Sequence, residues 1–196
     1  MIHLEQGTVL DMFRSTAIGA PDSPFLVYFD SVLTASDVDR ASDALAVALT
    51  AGGFARGDRL ALYTQNVPQY VVALIAAWKL GGIAVAINPM LTPREIAKLI
   101  ADSSPVAFLS LSELYSAELA TMLAETSVTR VITTSAVDFQ RSGDARVLPV
   151  ERMPTPPGTE DLNALVAQYD RQVPDAVAVG TDDVAVITYT LSLIHI

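Results

Sequence analysis

Between Gly57 and Pro89 the chain reads GDRLALYTQNVPQYVVALIAAWKLGGIAVAINP, and this stretch constrains the fold more than any other. A Gly57-Asp58 turn opens a short apolar run, Arg59 to Thr64, which Asn66-Val67-Pro68 breaks. A near-continuous apolar segment from Tyr70 to Trp78 follows, and Gly81-Gly82 ends it. A second short run, Ile83 to Ile87, leads into Asn88-Pro89. Short run, break, longer run, double glycine and short run is the pattern of a strand–helix–strand unit. Both short runs are apolar throughout rather than alternating, as in parallel strands covered on both faces. The helix between them is apolar nearly all round, which predicts burial for Leu74 and its neighbours.

The same segment raises the question of a membrane span, because Tyr70 to Ile87 carries only the charge of Lys79. Pro68 at its start and Gly81-Gly82 within it favour helix, turn and strand over one continuous spanning helix. At 51% hydrophobic and 17% charged residues the chain has a globular composition with enough apolar material for a core. Its net charge of −10, with basic residues scattered singly, argues against nucleic acid as a partner. Without cysteine there can be no disulfide, thiolate nucleophile or Cys-based metal site. The two histidines, His3 and His195, stand at opposite ends and form no ligand cluster. The first residues lack the basic and apolar regions of a signal peptide, so the expected location is the cytoplasm.

Read in order, Met1 to Gly19 predicts a helix and PFLVYFD a strand, with a hairpin or loop closing near Thr34. Thr34 and Asp37 have capping-box spacing, so a helix starts there and runs to the stop at Gly52-Gly53. Thr92-Pro93-Arg94-Glu95 is the clearest helix start in the chain, joining an N-cap, a first-turn proline and a reciprocal carboxylate. A strand over Val106–Leu109, a helix over Glu113–Glu125 and a strand over Val128–Thr133 come next. After a loop-like lapse from Ser135 to Pro157, a short helix is expected over Asp161–Tyr169. Val184–Thr190, VAVITYT, is strongly β-prone and predicts a buried strand. The alternation gives an α/β fold with a mostly parallel, helix-flanked sheet.

Catalytic signals are sparse. There is no Ser/His/Asp set, no metal-spaced histidine pair and no GxGxxG after a strand. Tyr63, Gln65 and Asn66 fall at the carboxyl end of a predicted strand, where open α/β sheets place ligands. Asp37, Asp39 and Asp43 share a helix face, read here as solvated. Trp78 is read as core.

The ordered set of local motifs is more telling. It comprises Gly57-Asp58-Arg59-Leu60-Ala61 with Asn66, then Ala73–Ala77, Lys79-Leu80-Gly81-Gly82 and Asn88-Pro89. Leu91-Thr92-Pro93-Arg94-Glu95, Asp102-Ser103, Asp182-Asp183-Val184-Ala185 and Thr188-Tyr189-Thr190 continue it. In order and spacing these resemble the amino-terminal part of an acyl-CoA synthetase of the adenylate-forming, AMP-binding ligase superfamily. The resemblance implies part of that family's large N-terminal domain over residues 1–190. It implies a ligase in which a carboxylic acid, here a fatty acid, attacks ATP to give an acyl-adenylate before CoA displaces AMP. ATP, Mg²⁺ and CoA are the implied cofactors of a full-length member. The family's phosphate loop begins at the Tyr-Thr matched by Tyr189-Thr190, so Thr190 is the one nucleotide-site position that carries over. No catalytic or metal-binding position carries over, and the chain alone is expected to be inactive.

After Thr190 the chain departs from that pattern. Leu191 to Ile196, LSLIHI, contains neither glycine nor lysine and cannot wrap a phosphate as a Gly-rich loop does. It matches an in-frame translation of the transposon end used in sequencing libraries, so residues 191–196 are expected to be a non-native tail. Two other readings stand beside the fatty-acid ligase. One is a non-catalytic α/β module that binds through its sheet edge, and the other is an adenylate-forming ligase for another acid such as an aryl acid.

Overall fold

The computed structural model describes residues 7–141 and 151–189. Residues 142–150 of the predicted loop from Ser135 to Pro157, the tail at 191–196 and the position of Thr190 lie outside the described residues. Among the described residues, six strands form one sheet in which every pairing is parallel. In chain order they are β3 (Arg59–Tyr63), β4 (Ile83–Ala86), β5 (Ala107–Leu111), β6 (Arg130–Thr134), β7 (Glu160–Asp161) and β8 (Val186–Thr188). Their spatial order is β7-β6-β5-β3-β4-β8. A separate antiparallel hairpin, β1 (Pro24–Tyr28) and β2 (Ser31–Thr34), precedes the sheet.

The strand–helix–strand unit is as the sequence predicts. Leu60 pairs with Ala84 and Leu62 with Ala86 in parallel register, and α3 (Pro68–Lys79) connects the two strands. Along β3, successive side chains enter different cores. Leu60 and Leu62 pack with α1 (Val9–Gly19), α2 (Ala35–Ala51), α3 and α6 (Leu162–Gln168). Ala61 and Tyr63 pack with Ile96 and Ile100 of α4 (Pro93–Ser103) and Leu119 and Leu123 of α5 (Ala117–Leu123). Apolar residues on both sides of every central strand follow from this sandwiching, because each face must leave water.

The helix starts follow their caps. Thr34 and Asp37 cap α2 reciprocally, and Thr92 and Glu95 do the same for α4. A third such pair, Thr8 and Asp11, starts α1. In the predicted helix over Glu113–Glu125, the first turn is not helical. Ser116 accepts from the Leu119 N–H and starts α5 there, while Glu113 turns away toward β6.

Three expectations are corrected by burial. The β-prone run Val184–Thr190 predicts a buried strand, but β8 is a half-exposed edge strand with β4 as its neighbour. Leu74 is only partly buried, whereas Ile75 and Val72 beside it are fully inside. Trp78 is also partly buried: it packs against the core from its rim, and its indole N–H donates to the Ala185 carbonyl just before β8 at 2.9 Å.

Candidate functional site

The chain runs from β3 to β4 on one side and then crosses back to place β5 on the other side of β3. Connections that leave neighbouring strands in opposite directions open a crevice at their carboxyl ends, the usual ligand position in open α/β sheets. Here that crevice lies beyond Tyr63 and Leu111. Of the three residues the sequence pointed to, Gln65 and Asn66 are exposed there and free to meet a ligand. Tyr63 is 6% exposed and its hydroxyl donates toward the carbonyls of Pro89 and Leu91, at 3.3 and 3.2 Å. Burial raises its pKa above the ordinary phenol value. It is a wall of this edge and not a contact residue.

A polar cluster that sequence reasoning missed lies at the carboxyl end of β6. Gln69, at the second position of α3, is fully buried, and its amide NH₂ donates to the Ser135 carbonyl at 2.8 Å and Thr134 Oγ1 at 3.2 Å. Glu113 Oε1 accepts from Ser135 Oγ at 2.6 Å and from the Ala136 N–H at 3.1 Å. Asp138 accepts from Thr134 Oγ1 and the Ser135 N–H, at 2.9 and 2.8 Å. Arg152 is shared between Asp138 and Asp161, and those two hydrogen bonds raise its already high pKa further. Tyr28 of the hairpin donates to the Ala136 carbonyl at 2.9 Å, which fastens β1 over the same edge. No short motif announces this cluster, since its members are spread from residue 28 to residue 161 and meet only through the strand order.

At the other end of the sheet two of the quoted motifs meet. The Tyr189 hydroxyl donates to Asp102 Oδ2 at 2.7 Å, joining the last described residue to the end of α4. Burial and the neighbouring Asp102 carboxylate raise the Tyr189 pKa. Asp183 holds Arg56 through both carboxylate oxygens, at 3.0 and 2.8 Å, so the segment before β8 is tied to the turn before β3. The acidic face of α2 needs correcting too. Asp39 and Asp43 are not simply solvated, because both accept from the buried Lys79 ammonium.

A family model described as AMP-binding enzyme matches residues 13–190. The chain belongs to that family. Among curated relatives, this AMP-binding chain is 33% identical over 132 residues to a long-chain-fatty-acid–CoA ligase of Yersinia pestis. It is 36% identical over 132 residues to the enzyme of the same description from Haemophilus influenzae. Each alignment covers 67% of this chain, which spans only 23% of the relative's length. Among solved structures, the anthranilate CoA ligase AuaEII, in complex with anthranoyl-AMP, superposes with a TM-score of 0.79. That superposition covers 94% of this chain and 32% of AuaEII at 16% identity, which shows a shared fold.

Nucleotide chemistry can be tested against the residues in place. A triphosphate needs clustered cations or a row of free N–H donors. Arg152 is already neutralised by two carboxylates, Asp138 and Asp161, and Glu113 adds a third negative group to the cluster. Among the described residues, no group of three or more His, Cys, Asp or Glu could hold a metal ion. The described edge therefore does not by itself fit ATP with Mg²⁺. No helix among the described residues is long and apolar enough to cross a membrane.

Proposed function

We propose that this AMP-binding chain is the amino-terminal part of an ATP-dependent fatty acid–CoA ligase that works through an acyl-adenylate. The observation that carries the reading is the family match over residues 13–190, joined to fatty-acid ligase relatives of which the chain spans 23%. In this reading residues 1–190 supply a scaffold whose parallel sheet leads through Tyr189 into the start of a phosphate loop. Thr190 contributes to nucleotide binding, and residues 191–196 are not native to the protein. ATP, Mg²⁺, CoA and the carboxylic acid are substrates and cofactors of the longer enzyme, which works in the cytoplasm.

The 196-residue chain itself does not complete adenylation. That step needs the triphosphate clamped, its charge offset, and the carboxylate held in line. Without a cationic cluster, the net charge of −10 works against ATP approach. ATP–pyrophosphate exchange with a panel of fatty and aryl acids tests this, beside a heat-treated control. Exchange at the control level is expected, and exchange above it would overturn the reading. Resequencing the locus by a different library chemistry tests the origin. A frame that continues past Thr190 into a Gly- and Thr-rich loop supports the ligase, whereas a stop after Ile196 supports a non-catalytic module.

A further inference from the structure

The two edges of the sheet differ. β7 is two residues long, Glu160-Asp161, and both carboxylates are held in ion pairs, Glu160 by Arg130 and Asp161 by Arg152. A short, charged edge of this kind is a poor template for another strand. β8 carries none of these guards. It reads Val186-Ile187-Thr188, without charge or proline, and Val184 just before it is 56% exposed. Among the described residues, β4 is its only strand neighbour.

The ladder to β4 decides which backbone groups of β8 are open. The Ala185 carbonyl accepts from the Ala84 N–H at 3.1 Å and from the Trp78 indole at 2.9 Å, so residue 185 turns toward β4. Backbone groups alternate sides along a strand, so Ile187, paired with Val85, turns toward β4 as well. Val186 and Thr188 then present their N–H and C=O groups outward, and the two residues are symmetric about Ile187. If a second β8 lies antiparallel with Ile187 opposite Ile187, Val186 of each copy stands opposite Thr188 of the other. Residues opposed in this way exchange both N–H···O bonds, and these bonds use every outward group of both strands. The match is isologous and closes on two copies. Val186, packed with the α1–α3 side, and Ile187, packed with the α4–α5 side, are both half-buried, and a neighbouring strand covers each further. We propose that β8 is an interaction surface for a second copy of this chain, joined by antiparallel β8–β8 pairing about a two-fold axis. Each copy carries a net charge of −10, so the pairing tightens as salt screens their repulsion. This inference is independent of the ligase reading, because it concerns the sheet edge and needs no nucleotide.

Sedimentation equilibrium of the 196-residue chain over a concentration series, at low and high salt, reads the association. A monomer–dimer equilibrium that tightens with salt is expected. A chain still monomeric at about 1 mM would leave the edge to some other strand and overturn the proposal. Thr188→Pro removes an outward N–H that β4 does not use, and in a two-fold pair it removes one bond at each end. It should raise the dimer dissociation constant at least about tenfold, while Thr188→Val keeps the N–H and the dimer. Equal dissociation constants for the proline variant and the parent would place the contact elsewhere and refute the edge pairing. Cross-linking with diamide as oxidant gives a reading that does not depend on how the proline variant folds. The chain has no cysteine, so Ile187→Cys supplies a single thiol per copy. Opposed residues of a non-hydrogen-bonded antiparallel pair have Cα atoms about 4.5 Å apart, within disulfide reach. Ile187→Cys should therefore give a disulfide-linked dimer, whereas Thr188→Cys, placed opposite Val186, should not. Equal linking by the two variants, or none by Ile187→Cys, would rule out the two-fold register.

Discussion

Lys79 Nζ lies 2.7 Å from Asp43 Oδ1 and 2.6 Å from Asp39 Oδ1, with the lysine side chain only 3% exposed. It also donates to the Asp39 carbonyl at 2.9 Å, so the three hydrogens of the ammonium have three oxygens. The last turn of α3 is in this way clamped to the first half of α2, and the Phe13 ring of α1 sits 5.8 Å from the same nitrogen. Desolvation raises the Asp43 pKa despite the ammonium beside it.

Lys79→Met should destabilise the fold by about 3 kcal/mol, because it leaves carboxylates without their buried partner. Asp39 is about a third exposed, which holds the loss toward the lower end. Adding Asp39→Asn and Asp43→Asn to Lys79→Met should recover much of it. Urea unfolding of the single and triple variants measures both. A triple variant less stable than Lys79→Met alone would show that the clamp is not electrostatic.

The pKa of Asp37 is shifted in the opposite direction to that of Asp43. The Thr34 N–H donating to its carboxylate at 3.0 Å lowers its pKa below the ordinary aspartate value. A carboxyl whose folded pKa is lowered stabilises above its unfolded pKa, about 3.9, and that contribution fades as pH falls through the folded value. Asp37→Asn should therefore flatten part of the acid limb of a stability–pH curve below about pH 4. An acid limb of unchanged slope would mean that the cap carries no pH dependence.

Ile75 and Leu74 are neighbours in α3, yet only Ile75 is fully inside. Ile75→Ala should cost about 2–5 kcal/mol, the range for emptying a core site that cannot collapse. Leu74→Ala should cost clearly less, because part of its surface is already in water. Equal losses in denaturant unfolding would show that α3 is rotated from this orientation.

Gly82 follows the close approach of α3 to the Phe54 ring. A Cβ at Gly82 would stand 2.5 Å from Phe54 Cε1 and 3.1 Å from the Ala77 carbonyl oxygen. Gly82→Ala should cost about 1–3 kcal/mol through that overlap. Pairing it with Phe54→Leu should return part of the loss. If Gly82→Ala melts like the parent chain, the ring moves aside freely.

The sequence by itself determined the parallel α/β sheet, the helix starts at Thr34 and Thr92, and the family. These depend on local signals, namely apolar runs, caps and glycine breaks, which neighbours in the chain decide among themselves. Tertiary structure alone decided which polar residues meet. Lys79 reads in sequence as the single charge on an apolar helix and Asp39 and Asp43 as a solvated face, yet α2 and α3 pack so that each answers the other. Gln69, Glu113 and Ser135 come together only because the strand order sets β6 beside β5 and the first turn of α3 reaches the carboxyl end of β6. The burial of β8 is likewise decided only in the tertiary structure. A β-prone run states how well a segment fits a sheet, whereas its place at the edge is set by the number of strands beyond it.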